Sequence, residues 1–477
     1  MTFREVFHGS KESPIPALAV HPIFYQYGAF IDSLVAALPP SNQMETLRVM
    51  KTNFKDQTPW LQVRFSGDRG RENDITDRPP VRALFPFWLT PHFGDYEKVS
   101  FATKQLLNAL THREGKNLPM VDEVHGAGIY VEMRQDKATI TEAKEKLAGE
   151  AINVEIAAED FKKFKRVYIW GPHSWEGLKY FKKNKIGTVA MTAAPLFAEH
   201  IKEQVFTRDD LSKKENKNRI EPKNTRIVAL DKGSLQQCVH LSNLLGMSPS
   251  THIVAFDKTR KGPNMVNDSM MVYGSPDDLK GKDIIIYDDI IDTFGSMKKT
   301  CESLKNKYGV KSITIIATHG VLSYPAWQTI TDVLTDHDEV LAAKLRSKRW
   351  RKYIRERDRL TNYLSISDQI AAGVENIESA LSSQANGPIV DRIVMTDTIP
   401  EAKYSFKGMP NVTIIPVGPT TGEILTKFMD KSIEEMMEDR LYKKFFLDPI
   451  QKDKMWRIFL KRYARKDRVV KIKPLKK

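Results

Sequence analysis

The sequence predicts an α/β fold in which parallel sheets are flanked by helices. Short apolar runs alternate with helical patterns along the middle of the chain, which is typical of such sheets. Acidic residues, among them Asp231, Asp288 and Asp289, follow several of these runs. Ligands of such folds bind at the carboxyl ends of the strands, so these acids are candidate site residues.

The individual elements follow from the same pattern. The N-terminal third is less regular, and we interpret it as a second α/β domain. Predicted strands are Leu61–Phe65, Ile129–Glu132, Val167–Trp170, Ile227–Leu230, Ile253–Phe256, Ile284–Tyr287, Ile313–Thr318, Ile393–Thr396 and Val412–Val417. Predicted helices are Lys98–Leu110, Gln236–Leu245 and Met297–Tyr308.

Length and composition exclude several classes of protein. A chain of 477 residues with 28% charged and 41% hydrophobic residues is long enough for two or three globular domains. Its two cysteines cannot build a disulfide framework and suit a reducing compartment. The start lacks the apolar core of a signal peptide, and polar residues interrupt the apolar region from 15 to 38. We therefore expect a cytoplasmic protein with no membrane contact.

The net charge of +14 is concentrated at the C-terminus. Residues 440–477 contain 15 Lys and Arg residues but only three acidic ones. Such a tail could bind nucleic acid, anionic lipid or an acidic partner, but a solvated face or a subunit contact is the interpretation we favour. Apolar residues at helical spacing, among them Trp456, Phe459 and Tyr463, predict an amphipathic helix that docks rather than a free arm.

The segment after the predicted strand Ile284–Tyr287 is the most informative one. Backbone N–H groups of a loop that opens a helix suit a phosphate, and hydroxyl groups add hydrogen bonds to it. Adjacent carboxylates accept hydrogen bonds from sugar hydroxyls or help to hold a metal. The alternative is a buried strand followed by an Asp-rich turn without function. The residues concerned are Asp288, Asp289, Asp292, Thr293, Gly295 and Ser296.

This segment resembles the phosphoribosyl-pyrophosphate (PRPP) loop of phosphoribosyltransferases and PRPP synthetases. Further motifs, in the same order, resemble the ribose-phosphate pyrophosphokinase (PRPP synthetase) family. Phe54-Lys55-Asp56 is similar to a Phe-x-Asp-x-Glu motif, with Thr58 in place of Glu. Arg134-Gln135-Asp136-Lys137 is similar to Arg-Gln-Asp-Arg, and Lys137 keeps the charge but loses the bidentate geometry.

The second half of the chain continues the resemblance. Gly171-Pro172-His173 is similar to an Asp-Leu-His motif whose His binds magnesium, and Asp231 in Asp231-Lys232-Gly233 matches the family's other metal ligand. Asp257-Lys258-Thr259-Arg260 resembles the Asp-Lys-x-Arg that opens a mobile catalytic loop. Ala317-Thr318-His319-Gly320 and the segment 394–400 resemble two further family segments, the latter beside the ribose phosphate.

Position by position, the resemblance implies the following roles. Ribose 5-phosphate would be bound by Asp288, Asp289, Asp292, Thr293, Gly295 and Ser296. Lys258 and Arg260 would be catalytic, and His173 and Asp231 would hold Mg²⁺. ATP would be bound by Phe54, Asp56, Arg134, Gln135 and Asp136. The family also implies two phosphoribosyltransferase-like domains and a homo-oligomer based on dimers, such as a hexamer.

The predicted domain boundaries follow from these motifs. Residues 1–165 form the N-terminal domain with the ATP motifs, and 166–326 with 389–435 form the PRPP-loop domain. Residues 327–388 are a charged helical insertion, whose segment 344–359 holds nine Lys and Arg residues against two acidic ones. Residues 436–477 are the basic C-terminal extension.

The predicted function is synthesis of PRPP and AMP from ribose 5-phosphate and ATP. An alternative is a catalytically weak regulatory homologue that binds active subunits. The departures at Thr58, Gly171 and Phe294, together with the insertion, keep this alternative open. A phosphoribosyltransferase is a lesser alternative, since it gives the Phe54, Arg134 and Asp-Lys-x-Arg matches no role. A nucleic-acid-binding protein with a basic insertion and tail is the third alternative.

Overall fold

Two mixed sheets form the fold, and the central strands whose burial is described, such as Ile284–Tyr287 and Ser312–Gly320, consist mainly of β-branched residues buried on both faces. The computed structural model describes residues 15–19, 34, 45–53, 59–65, 81–89, 96–111, 121, 123–131, 153–173, 177–216, 219–231, 233–262, 265–323, 326–334, 388–399, 406, 409, 411–429, 431–446, 457–459 and 461. The chain divides into two compact units. The first unit comprises Met1–Met191 and Pro416–Pro449, and the second comprises Thr192–Ile415 and Ile450–Lys477.

The first unit contains the N-terminal sheet. Its strands are β1 (Ile15–Ala19), β2 (Glu45–Asn53), β3 (Pro59–Phe65), β4 (Val81–Leu89), β5 (Glu123–Val131), β6 (Arg166–Trp170) and β7 (Gly187–Met191). Helices α1 (Tyr96–Thr111), α2 (Asn153–Asp160) and α3 (Leu178–Lys183) connect them. Within the described residues the strand order is β3-β2-β1-β4-β5-β6-β7, parallel except for the β2–β3 pair.

Aromatic rings fill the core of the first unit. Phe87 lies fully buried with its ring centroid 5.3 Å from the centroids of both Phe161 and Phe164. These rings lie against Gly126 of β5, where an added Cβ would lie 2.8 Å from the Phe87 ring. Glycine is therefore required at this position by close packing.

The segment after Pro416 also belongs to the first unit. It forms helices α10 (Gly418–Phe428), α11 (Ile433–Met437) and α12 (Arg440–Phe445), which follow helices α4 to α9 of the second unit in the chain. Trp170 Nε1 donates to Thr421 Oγ1 at 2.9 Å, and Arg166 Nη1 donates to the Phe428 carbonyl at 3.1 Å. These bonds join the C-terminal helices to strand β6.

The second unit contains the other sheet. Its strands are β8 (Thr225–Ala229), β9 (Ile253–Gly262), β10 (Met265–Tyr273), β11 (Asp283–Ile291), β12 (Ser312–Gly320), β13 (Arg392–Thr396) and β14 (Val412–Ile415). Its α-helices are α4 (Ala194–His200), α5 (Lys213–Asn216), α6 (Leu235–Leu244), α7 (Pro249–His252), α8 (Gly295–Asn306) and α9 (Ala326–Leu334). A π-helical turn covers Ile201–Val205, and 3₁₀ turns cover Pro222–Asn224 and Pro276–Asp278.

The second sheet repeats the topology of the first. Among the described strands the order is β10-β9-β8-β11-β12-β13-β14, parallel except for the β9–β10 pair. An aliphatic core that includes Ile284, Ile286, Ile315 and Leu304 packs on one face of this sheet. The predicted fold class of parallel sheets flanked by helices is confirmed.

The predicted domain boundaries differ from the division that the structure shows. Strands β6 and β7 extend the first sheet, so the first unit continues to Met191 rather than ending at residue 165. The segment from Pro416 to 435, predicted in the PRPP-loop domain, joins the first unit. The sequence carries no signal for which of the two units a strand or helix joins, because that depends on contacts between distant parts of the chain.

The predicted insertion and extension are only partly described. Helix α9 lies within the predicted insertion 327–388, yet its Ile330 and Val333 are fully buried in the core of the second unit. Residues 335–387 lie outside the described residues. In the predicted extension, Phe459 is buried with its ring 4.8 Å from that of Tyr273, as expected for a docked segment. Within the described part of the chain, no helix combines the length and apolar character that crossing a membrane requires.

Candidate functional site

Strand β11 carries the acidic residues of the candidate site. The strand is buried from Asp283 to Tyr287 and continues through Asp288 and Asp289, which are half-buried, to Ile291. The two carboxylates thus belong to the strand itself, which ends at Ile291, four residues beyond the predicted end at Tyr287. Asp289 N–H donates to Asp288 Oδ1 at 2.9 Å, which orients the Asp288 carboxylate.

The segment Asp292–Ser296 comprises the tight loop after β11 and the first two residues of helix α8, and we call it the sugar-phosphate loop after the role that the family resemblance implies. Phe294 is the N-cap of α8 and adopts a left-handed conformation, with φ 65° and ψ −6°. The side chain of Phe294 cannot cap the helix, so the first N–H groups of α8 have neither a cap nor an acceptor within the helix. Thr293, Gly295 and Ser296 are exposed. Exposed N–H groups at a helix N-terminus suit an anion such as a phosphate.

The end of β12 lies beside this loop. Its register pairs Asp288 with Ala317 and Ile290 with His319. Beyond the strand, the N–H groups of Val321 and Leu322 both donate to the Ile291 carbonyl, at 2.9 and 3.0 Å. The backbone of the segment after β12 is therefore tied to the start of the sugar-phosphate loop.

A buried network of hydroxyl groups joins β12 to β13. The Thr318 carbonyl oxygen accepts hydrogen bonds from the hydroxyls of Thr396 and Thr398. Thr398 Oγ1 also lies 2.9 Å from Nδ1 of His319, within hydrogen-bond distance. The His319 side chain is 2% exposed, so its ring lies within this buried network. The motif resemblance marked these segments but gave His319 no role.

Asp231 lies after β8, next to β11 in the sheet. Its Oδ1 accepts from the N–H groups of Gly233 at 2.7 Å and Ser234 at 2.9 Å. These bonds close the turn that leads into helix α6, which begins at Leu235. Asp231 thus shapes this turn at the carboxyl end of β8, the edge of the sheet at which the acids of β11 also lie.

Electrostatic effects on Cys238 agree with this arrangement. Burial raises the pKa of the Cys238 thiol well above its usual range, and the carboxylates of Asp288 and Asp231 raise that pKa further. Burial also raises the pKa of the Tyr287 phenol, whose oxygen lies 3.5 Å from Thr192 Oγ1.

His173 belongs to the first unit, so the structure does not bring it together with Asp231 in one unit. It follows β6 in a turn where Gly171 adopts φ 43° and donates its N–H to the Met191 carbonyl at 2.8 Å. A positive φ favours glycine, which gives a backbone reason for Gly171 where the family pattern has Asp.

Lys258 and Arg260 lie on strand β9, where a mobile loop was expected after Phe256. The strand continues to Gly262 and pairs with β10, with Lys258 opposite Ser269 and Arg260 opposite Val266. The register is irregular between these pairs. The expectation of a loop that begins at Asp257 is therefore replaced by a β-hairpin with bulges. The predicted ATP-binding residues Phe54, Asp56, Arg134, Gln135 and Asp136 lie outside the described residues.

The described residues offer few candidate ligands for magnesium. Among the residues that the structure describes, no three acidic, histidine or cysteine side chains converge to form a metal site. Mg²⁺ commonly uses one or two protein carboxylates and takes its other ligands from substrate phosphates and water. The carboxylate of Asp231 is an oxygen donor of the type that Mg²⁺ prefers, so it fits the ligand role that the resemblance implies.

Comparison with known proteins identifies the second unit as a recognised domain. The family model "Phosphoribosyl transferase domain" matches residues 199–336, which include β8 to β12 and the sugar-phosphate loop.

Curated relatives match by sequence over part of their length. The ribose-phosphate pyrophosphokinase of Thermococcus kodakarensis is 29% identical over 168 residues, which cover 35% of this chain and 50% of the relative. The enzyme of the same name from Helicobacter hepaticus is 34% identical over 132 residues, covering 28% of this chain and 38% of the relative. The matched part thus spans half the length of these relatives or less.

A solved structure matches over most of the chain. The phosphoribosylpyrophosphate synthetase from Mycobacterium smegmatis aligns with a TM-score of 0.52 and 15% sequence identity, covering 88% of this chain and 100% of that chain. At this identity the likeness shows the fold alone. The domain model, the named relatives and the shared fold agree with the resemblance of this chain to the ribose-phosphate pyrophosphokinase (PRPP synthetase) family.

Proposed function

We propose that this chain is an ATP-dependent ribose-phosphate diphosphokinase, which converts ribose 5-phosphate and ATP to PRPP and AMP. The observation that carries the proposal is the end of β11: two half-buried carboxylates, then an exposed loop that opens a helix. This arrangement offers acceptors for sugar hydroxyls and donors for a phosphate within a few residues of each other.

The sugar phosphate would bind along this segment. The N–H groups of Gly295 and Ser296 and the Thr293 and Ser296 hydroxyls would hold the 5-phosphate, with Asp292 at the start of the loop. Asp288 and Asp289 would accept hydrogen bonds from the ribose hydroxyls. Because carboxylates repel a phosphate, Asp288 and Asp289 would orient the ribose rather than bind the 5-phosphate.

The reaction is a pyrophosphoryl transfer. The anomeric oxygen of ribose 5-phosphate attacks the β-phosphorus of ATP and forms a new O–P bond. The bond between the β-phosphorus and the α,β-bridging oxygen breaks, AMP leaves, and the anomeric hydroxyl loses its proton. Positioning and charge stabilisation dominate such transfers, and Lys258 and Arg260 would supply positive charge to the β-phosphoryl group.

Magnesium and ATP complete the proposed site. His173 and Asp231 would hold the Mg²⁺, which neutralises triphosphate charge when bound. Phe54, Asp56, Arg134, Gln135 and Asp136 would contact ATP. A cytoplasmic location, a homo-oligomer based on dimers, and nucleic-acid binding by the basic insertion and tail are further proposals that depend on separate measurements.

The test is formation of AMP and PRPP by purified protein with ATP, ribose 5-phosphate and Mg²⁺. The Lys258→Ala/Arg260→Ala variant should lose nearly all turnover. A matched control, Arg208→Ala/Lys223→Ala, removes the same charge from exposed positions. This control variant should keep the turnover of the intact protein. Equal turnover in both variants, or none in the intact protein across phosphate concentrations, would contradict the proposal.

A regulatory homologue is the second candidate, and Gly171 is the observation that favours it. The turn at Gly171 has no carboxylate where the family pattern has Asp, which reduces the donors next to His173. An intact protein that makes no PRPP but raises the turnover of an active family member mixed with it would support this candidate instead.

A further inference from the structure

Two large apolar residues beside the candidate site have left-handed backbone conformations. Phe294 has φ 65° and Leu322 has φ 56°. Among the described residues other than glycine, the third with positive φ is Lys185, which is exposed after helix α3. A bulky side chain rarely adopts this conformation, so the surrounding structure must hold Phe294 and Leu322 in it.

Burial of both side chains in the apolar core stabilises these backbone conformations. Phe294 is 4% exposed and Leu322 is 5% exposed, and both belong to one apolar cluster with Ile291 and Met297. The residues on either side of Phe294 are exposed. The sugar-phosphate loop therefore has an open outer side and an inner side that consists of the Phe294 side chain. The bulk of the Phe294 side chain therefore lies in the core.

Backbone hydrogen bonds connect the two left-handed positions. Leu322 N–H and Val321 N–H donate to the carbonyl of Ile291, three residues before Phe294. The segment after β12 and the loop after β11 are thus fixed to each other at both the backbone and the side-chain level.

We infer that Phe294 and Leu322 are positioning residues that hold the sugar-phosphate loop in its phosphate-binding conformation before any ligand binds. The dihedral angles of Phe294 set the direction of the N–H groups that follow, at Gly295, Ser296 and Met297. A preformed loop binds phosphate without first being ordered. This inference rests on the proposed function, because it concerns the same loop.

The test compares variants of Phe294 with a matched core variant. Phe294→Ala and Phe294→Gly both remove the anchor, and the glycine also removes the backbone strain. Phe294→Leu keeps an apolar anchor. Leu304→Ala is the control, since Leu304 is 1% exposed in the same cluster but lies near the other end of α8. The measurements are kcat and KM for ribose 5-phosphate, its Kd by calorimetry, and the melting temperature.

We expect Phe294→Ala and Phe294→Gly to raise KM and Kd for ribose 5-phosphate about tenfold or more, with kcat changed less than about threefold. Phe294→Leu should stay near the intact protein. Leu304→Ala should lower the melting temperature comparably but leave KM and Kd within about twofold. If Phe294→Ala does not fold, Leu322→Ala carries the same expectation.

The outcomes separate this inference from the proposed function. If the intact protein makes PRPP but the Phe294 variants affect KM no more than Leu304→Ala does, this inference is wrong and the proposed function stands. Unchanged affinity in Phe294→Gly would also overturn it, because the anchor would then be dispensable once strain is removed. An intact protein that neither binds ribose 5-phosphate nor makes PRPP contradicts the proposed function itself.

Discussion

Strands β4 and β11 occupy the same position in two sheets of identical strand order, yet only β11 carries acidic residues towards its carboxyl end. β4 reads VRALFPFWL and has no acid, whereas β11 reads DIIIYDDII and leads into Asp292. Each is the fourth strand of its sheet in chain order and pairs with the first and fifth. The comparison teaches that the shared architecture sets where a loop lies, while a few residues decide whether it can bind a sugar phosphate.

The side chains packed against the two strands also differ, being aromatic around β4 and mainly aliphatic around β11. Around β4, Phe85, Phe87 and Phe164 pack as an aromatic cluster whose rings fill the space left by Gly126. Around β11, aliphatic residues pack under a loop whose own Phe294 is part of the core. Substitutions at the first strand should therefore change stability alone, and substitutions at the second should change ligand binding.

The largest expected effect is on activity at β11. Asp289→Asn removes a carboxylate that we propose to orient the ribose, and should lower kcat/KM by about 10²- to 10³-fold, equivalent to roughly 3–4 kcal/mol. Asp277→Asn, an exposed acid in the same unit, is the control and should behave as the intact protein. Steady-state kinetics with ribose 5-phosphate varied measures both. Equal activity of the two variants would remove the functional distinction between β4 and β11.

The next effect is on stability at β4. Phe87→Ala leaves a cavity among three aromatic rings and should lower the free energy of unfolding by about 3–5 kcal/mol. The KM for ribose 5-phosphate of the folded fraction should be unchanged. Denaturant unfolding of the intact protein and the variant gives the first quantity, and kinetics below the transition give the second. A large rise in KM would show that the first unit also takes part in sugar binding.

The smallest expected effect is the contribution of His200, in the second unit, to the pH dependence of the protein's stability. Burial lowers the pKa of His200 below its usual value, and the charge of Arg392 lowers it further. Below about pH 6.5 the unfolded chain therefore takes up the proton first, so stability falls as the pH drops from 6.5 through the lowered pKa. His200→Asn should flatten this decline in melting temperature. A decline of the same slope in the variant would assign it to other groups.

Much of this fold could be predicted from the alternation of apolar runs and helical patterns. The strands Ile253–Phe256, Ile313–Thr318 and Ile393–Thr396 all lie within strands of the structure, because central parallel strands are buried on both faces and read as continuous apolar runs. The acids of β11 could be located for the same reason. They follow an apolar run directly, and the motif around them is long.

Other features could not be predicted because they depend on distant contacts. That Pro416–Pro449 joins the first unit depends on bonds such as that from Trp170 to Thr421, which are 251 residues apart. The extension of β9 through Lys258 depends on pairing with β10. The inward position of Phe294 depends on a positive φ, which a sequence does not indicate at an aromatic residue.

The most direct test of the account is calorimetric titration of ribose 5-phosphate into the intact protein, Phe87→Ala and Asp288→Asn/Asp289→Asn. We predict one binding site per chain in the intact protein, the same site in Phe87→Ala, and no measurable binding in the double variant. Binding that survives the loss of both carboxylates, or two sites per chain, would contradict the claim that the acidic segment of β11 alone distinguishes the two sheets.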